Sequence, residues 1–167
     1  MMTTTEQIVV TKNIFITPWD NPDYLYLQKL ILGNKYNRLE VDEALDFAKQ
    51  STNKLFIIRY KQDDVAVDIG VAVFDYDEFL KGYCLHFYRD EDRFAEFKVG
   101  VKDAIAGMRL TLEYFFKTFG ESCAFVTQTP DNRGSINLCN LLGFSKVCEV
   151  TTKKNIVLNL WVKGAIK

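Results

Sequence analysis

The sequence holds little from which a metal or disulfide protein is built. Histidine occurs once, as His86, and the four cysteines Cys84, Cys123, Cys139 and Cys148 form no CxxC pair. The clustered Cys and His of a tetrahedral zinc site are therefore missing. Three of the four cysteines sit inside apolar segments, which favours reduced, buried thiols. No apolar run approaches the ~20 residues of a membrane span. The opening residues Met1–Gln7 lack the basic and apolar regions of a secretion signal, so a cytoplasmic chain with no membrane contact is expected. Neither charge is in excess: 21 Lys and Arg face 22 Asp and Glu, a net charge of −1. No basic stripe offers itself to a nucleic acid, and none is expected as a partner.

What the chain has is apolar surface to bury. Hydrophobic residues make up 48% and aromatic residues 14%, with 13 phenylalanines and only 26% charged residues, which excludes disorder for the bulk of the chain. The length of 167 residues suits one domain, 1–167, burying ~70% of its unfolded surface. No repeat, linker or low-complexity tract divides it.

Ile8–Val10 and Ile14–Ile16 read as a strand or strand pair. Asn21-Pro22-Asp23 opens a helix, with Asn21 as cap, and Gly33-Asn34 stops it. A second helix covers about Val41–Gln50. Leu55–Tyr60 and Val65–Phe74 form a hairpin around Gln62-Asp63-Asp64, and Tyr83–Tyr88 is a further strand. From Asp90 to Phe119 the residues Phe94, Phe97, Val101, Ile105, Met108, Leu112, Phe115 and Phe119 recur at helical spacing. One long helix is the preferred reading; the alternative starts at Asp103 and leaves Ala95–Val101 as the tail of a strand. The stripe Gly100, Ala104, Gly107 and Thr111 on that helix is small enough to lie close on a sheet. Gly120 closes the helix. A buried strand Cys123–Thr127, a helix Ser135–Leu142 closed by Gly143, and a hairpin of Phe144–Val150 with Ile156–Val162 complete the chain. The fold class is α/β (α+β): a mixed, mostly antiparallel sheet flanked by helices in the order β-α-α-β-β-β-α-β-α-β-β.

The segment Asn132-Arg133-Gly134-Ser135-Ile136, followed by Leu142-Gly143-Phe144, resembles the N-x-x-S-I-x-x-x-x-x-L-G-F stretch of the GNAT (general N-acetyltransferase) superfamily, and the element order at this length is similar to that family's fold. The resemblance implies a divergent acetyltransferase that moves an acetyl group from acetyl-CoA to an amine of a small molecule or a protein. It implies a coenzyme cleft between the Tyr83–Tyr88 and Cys123–Thr127 strands, with Arg89, Arg93, Phe125, Val126 and Asn132 as its candidate contacts. Ser135 would be the hydroxyl that serves the departing thiolate, and Cys139 occupies the place where many members carry a tyrosine. For Ser135 a local backbone hydrogen bond is the competing reading and the preferred one. Candidate bases are His86, Asp68 and Glu96; His86 alternates away from Leu85 and Phe87, and a partner-bonded structural histidine is the preferred reading of it.

The family's glycine-rich phosphate loop has no counterpart in either alignment. Tyr88-Arg89-Asp90-Glu91-Asp92-Arg93 has acids and no glycine, and in Lys102-Asp103-Ala104-Ile105-Ala106-Gly107 only the last residue fits. This departure supports a second reading, a degenerate GNAT-fold structural or interaction protein without coenzyme A. Such chains resemble phage virion or assembly components and meet a protein partner. An unrelated α/β binding domain is the third reading left open.

Overall fold

The computed structural model describes residues 8–9 and 13–165. Its strands are β1 (Ile8–Val9), β2 (Ile14–Pro18), β3 (Lys54–Gln62), β4 (Val65–Asp77), β5 (Gly82–Arg89), β6 (Cys123–Gln128), β7 (Ser145–Thr151) and β8 (Val157–Gly164). The helices are α1 (Tyr24–Gly33), α2 (Val41–Ala48), α3 (Glu91–Glu96), α4 (Val101–Phe119) and α5 (Arg133–Leu142). The strands form one eight-stranded sheet in the order β1-β2-β3-β4-β5-β6-β8-β7. Neighbours run antiparallel except β5 and β6, which are parallel. The expected element order is thus present, with β1 and the short α3 added.

Alternation along the strands divides the core between the two faces of the sheet. Phe56, Ala72, Phe74, Leu85, Ala124 and Trp161 point to one face, covered by Leu112 and Phe115 of α4 and Cys139 and Leu142 of α5. Ile57, Val71 and Val73 point to the other, covered by Leu27, Leu30 and Ile31 of α1 and Ala44 and Ala48 of α2. From Ile69 to Phe74 β4 is buried on both faces, so its run reads as continuously apolar. The Phe115 ring stacks on that of Phe74, centroids 3.9 Å apart. The small stripe on α4 does lie on the sheet: a Cβ on Gly107 would stand 3.2 Å from Ile14 Cγ2, and Thr111 beside it is buried.

Two expectations are corrected. The cap of α1 is Asp23, whose carboxylate accepts from the Leu25 and Tyr26 N–H groups; Asn21 and Pro22 precede the helix. The long helix from Asp90 is two helices. After α3, Phe97 ends the turn and Lys98 takes a positive φ of 49°; Gly100 is then the N-cap of α4. The break turns Phe94, Phe97 and Val99 onto Ile14, Tyr60 and Ile69 at one end of the sheet. Ile105, Met108, Leu112 and Phe115 stay on its middle. The alternative start at Asp103 is also displaced, since α4 begins at Val101 and no strand precedes it.

Candidate active site

The parallel pair β5–β6 is joined only at Tyr83–Ala124 and Cys84–Phe125. β5 runs on to Arg89 and β6 to Gln128, so from Leu85 and Val126 onward the strands face each other without a ladder. The backbone N–H and C=O groups along this gap have no strand partner and are open to a ligand. Phe125 is the last residue of β6 paired with β5, its ring against Gly82, where a Cβ would come within 2.6 Å of it. Val126 is the first residue of β6 not paired with β5, though it pairs with Trp161 of β8, and it leans on the α4–α5 core. A cleft between the ends of β4 and β5 and helices α3 and α4 is lined by Ile69, Phe87, Arg89, Phe94, Ala104 and Met108.

His86 lies two residues past the last pair, on the α1–α2 face. Its Nε2 is 2.5 Å from Asp75 Oδ1 on β4, and the two side chains are 29% and 19% exposed. The ring stacks on Tyr88 and meets the edge of Phe47 from α2. A carboxylate holding the Nε2 proton leaves Nδ1 with its lone pair. The Tyr88 phenol is held far above its ordinary pKa by burial first and the Asp75 carboxylate second, with Arg38 opposing. The other candidate bases are placed otherwise. Asp68 pairs with Arg59 at 2.8 Å, and Glu96 is an exposed residue at the end of α3.

On the opposite face, α5 starts beside the end of β6. Asn132 caps it, its Oδ1 accepting from Ser135 N at 3.1 Å. The Ser135 hydroxyl makes no local backbone bond; it donates to Gln128 Oε1 at 2.5 Å, which corrects the competing reading. Cys139 Sγ reaches the same oxygen at 3.5 Å. Burial pushes the Cys139 thiol up to about 12, against a smaller opposing effect of Ser135, so it stays protonated at neutral pH.

Arg89 and Arg93 precede α4 in the chain, and Arg89 lines a cleft together with Ala104 of the first turn of α4. Arg89 ends β5, Arg93 lies within the short α3, and both are engaged. Arg89 makes two bonds to Glu91 Oε1 and lies over the Phe94 ring. Arg93 donates to the Asp68 carbonyl at 2.7 Å and lies over the Tyr26 ring. Buried Asp90 between them accepts from the Tyr26 hydroxyl at 3.0 Å and caps α3. The helix start left open is that of α4: Gly100 makes no side-chain cap bond, the surroundings are exposed, and Lys98 and Lys102 flank it. Unpaired N–H groups at a helix start attract an anion, with Asp103 in the first turn as the one opposing charge. Sequence reasoning missed Lys98, Gly100, Asp75 and Gln128. A glycine and a lysine inside an apolar period were the signal for the first two.

Among the described residues no group of His, Cys, Asp and Glu could hold a metal ion. No helix of the described residues is long and apolar enough to cross a membrane. No family model matches the sequence, and no curated protein sequence does. Solved structures do match. The ribosomal L7/L12 α-N-protein acetyltransferase RimL in complex with coenzyme A aligns over 96% of this chain and 98% of its own, at a TM-score of 0.67 and 12% identity. The microcin C7 self-immunity acetyltransferase MccE, in complex with acetyl-CoA and AMP, aligns over 93% and 94%, at 0.61 and 16%. Spermidine/spermine N-acetyltransferase SpeG from Vibrio cholerae aligns over 93% and 95%, at 0.65 and 11%. The chain has the GNAT fold. In that GNAT fold the gap between β5 and β6 has a base candidate on one face and a hydroxyl candidate on the other.

Proposed function

We propose that this GNAT-fold chain transfers an acetyl group from acetyl-CoA to an amine by direct attack. The observation that carries the reading is the stretch over which β5 and β6 do not pair with each other, flanked by the His86–Asp75 pair on the α1–α2 face and by Ser135 on the α5 face. Neighbours of the same fold bound to coenzyme A or acetyl-CoA support the donor. The residues fit such a donor: the gap offers free backbone groups to an amide-containing arm, and the start of α4 offers N–H groups and two lysines to phosphates. Bound acetyl-CoA supplies the thioester carbonyl at the gap. His86 takes the proton of the incoming ammonium at Nδ1 while Asp75 holds Nε2, and the amine lone pair forms the new N–C bond as the C–S bond breaks. Ser135 passes its hydroxyl proton to the leaving sulfur, which departs as the thiol, and takes up in its place the second proton that the nitrogen sheds on becoming an amide.

The acceptor is an amine, reached from the α1–α2 face. RimL and SpeG are named for a protein amino terminus and for spermidine, and a serine-starting peptide and spermidine are the probes to use. With either amine accepted, His86→Gln is expected to lower kcat by ~10²–10⁴, with the KM for acetyl-CoA held within twofold. An unchanged kcat removes His86 from the chemistry.

The second reading is a GNAT-fold interaction protein without coenzyme. The engagement of Arg89 and Arg93 with acids and backbone favours it. It expects no change in the melting temperature with acetyl-CoA at millimolar concentration.

A further inference from the structure

Gln128 is the last residue of β6 and only 4% exposed. Its Oε1 receives two donors, the Ser135 hydroxyl and the Cys139 thiol, while its Nε2 is buried and has no partner. Asn159, its register partner on β8, is equally buried, and its Oδ1 is unpartnered as well. Directly opposed residues of an antiparallel pair share a face, so an orphan donor and an orphan acceptor lie on the same face of the sheet without bonding to each other. A primary amide has a second arrangement, rotated by half a turn, in which nitrogen and oxygen exchange places. In the arrangement seen, the Ser135 proton is committed to Gln128, and only oxygen lone pairs are left to face the gap. In the rotated one, Gln128 Nε2 donates to Ser135 Oγ, and the hydroxyl proton is free to point at a leaving sulfur. The first leaves the amide nitrogen unpaired and the second strips Oε1 of its Ser135 and Cys139 donors. Neither satisfies every group.

We propose that Gln128 is the positioning residue for Ser135, its amide turning over to aim the hydroxyl proton into the gap during acetyl transfer. The inference rests on the acetyltransferase reading above and adds to it the group that controls the donor. Glutamate at this position, once ionised, can only accept and fixes the Ser135 proton in the unproductive direction. Once protonated, it can again donate to Ser135 Oγ. Methionine matches the length and holds neither arrangement.

The test measures release of free thiol from acetyl-CoA, with spermidine or a serine-starting peptide, for wild type, Gln128→Glu, Gln128→Met, Ser135→Ala and the Gln128→Glu, Ser135→Ala double variant. Gln128→Glu is expected to lose at least tenfold in kcat at pH 8, with the KM for acetyl-CoA within twofold of wild type. The ratio of wild-type to Gln128→Glu kcat should shrink as pH falls from 8 to 5.5, which a purely structural defect would not produce. Gln128→Met should lose less, and the double variant should be no slower than Ser135→Ala alone. A wild-type kcat in Gln128→Glu, a ratio flat with pH, or losses that multiply in the double variant overturn the inference and leave the acetyltransferase reading standing. If Gln128→Glu does not fold, Gln128→Met decides by the same cycle with Ser135→Ala. A wild-type protein that neither releases thiol nor melts higher with acetyl-CoA overturns both.

Discussion

Cys84 and Cys139 carry thiols that burial pushes upward, Cys139 to about 12 and Cys84 further still. An unfolded thiol ionises near 8.5. Below that pH both states keep the proton and these groups leave stability unchanged; above it the unfolded chain releases protons that the folded chain retains, so stability falls as pH rises. Tyr26 and Tyr88, also shifted up by burial, add to the decline from about pH 10. Thermal melts between pH 7 and 11 should show a steady loss above pH 9, made shallower in a Cys84→Ala, Cys139→Ala variant; a flat profile contradicts it. Single residues were unevenly legible. Asn132, Ser135 and His86 stood out by type and spacing. Asp75 did not, because it meets His86 only through the β4–β5 register, in which Asp75 opposes Cys84 and Val73 opposes His86. Gln128 reads in sequence as the polar end of a strand, and its two donors come from a helix seven and eleven residues on.

Helix α4 buries the largest aromatic contact of the domain at Phe115, which stacks on Phe74 and touches Tyr83, Phe116 and Phe119. Phe115→Ala leaves a cavity in a site walled by rings on several sides and should cost ~3–5 kcal/mol, read as a lower urea midpoint at an unchanged slope. A loss under 1 kcal/mol would mean that the site collapses. The end of α4 was plain from the sequence: Gly120, like Gly143 after α5, sits in the left-handed region, with φ of 66° and 81°, where other residues are strained. Its start was not. Phe94, Phe97, Val101 and Ile105 keep helical phase straight across the break, so periodicity alone carries one helix through Lys98. The break is tertiary in origin, set by where Phe97 and Val99 find apolar partners on β2, β3 and β4.

At the scale of the molecule, under the acetyltransferase proposal acetyl-CoA at a hundred times its dissociation constant is expected to stabilise the folded state by ~2.7 kcal/mol, or about 5–10 °C in melting temperature for a chain of this size. The uncapped start of α4 predicts that Lys98→Ala with Lys102→Ala reduces this shift, whereas Arg89→Ala with Arg93→Ala leaves it in place. The reverse pattern would move the phosphates to α3. The order of elements and the two-faced core were legible because each strand and helix carries its own period. The gap between β5 and β6 was expected from family likeness, and no local pattern announces where a parallel ladder stops. That short ladder also has a mechanical meaning. The sheet is two plates, β1–β5 and β6–β8, riveted at Tyr83–Ala124 and Cys84–Phe125 and spliced by the helices above. Force pulling the plates apart loads those two pairs one after the other, while the nine pairs of β3–β4 share a load along their whole length. Under tension the chain should part first along the line where a ligand would lie.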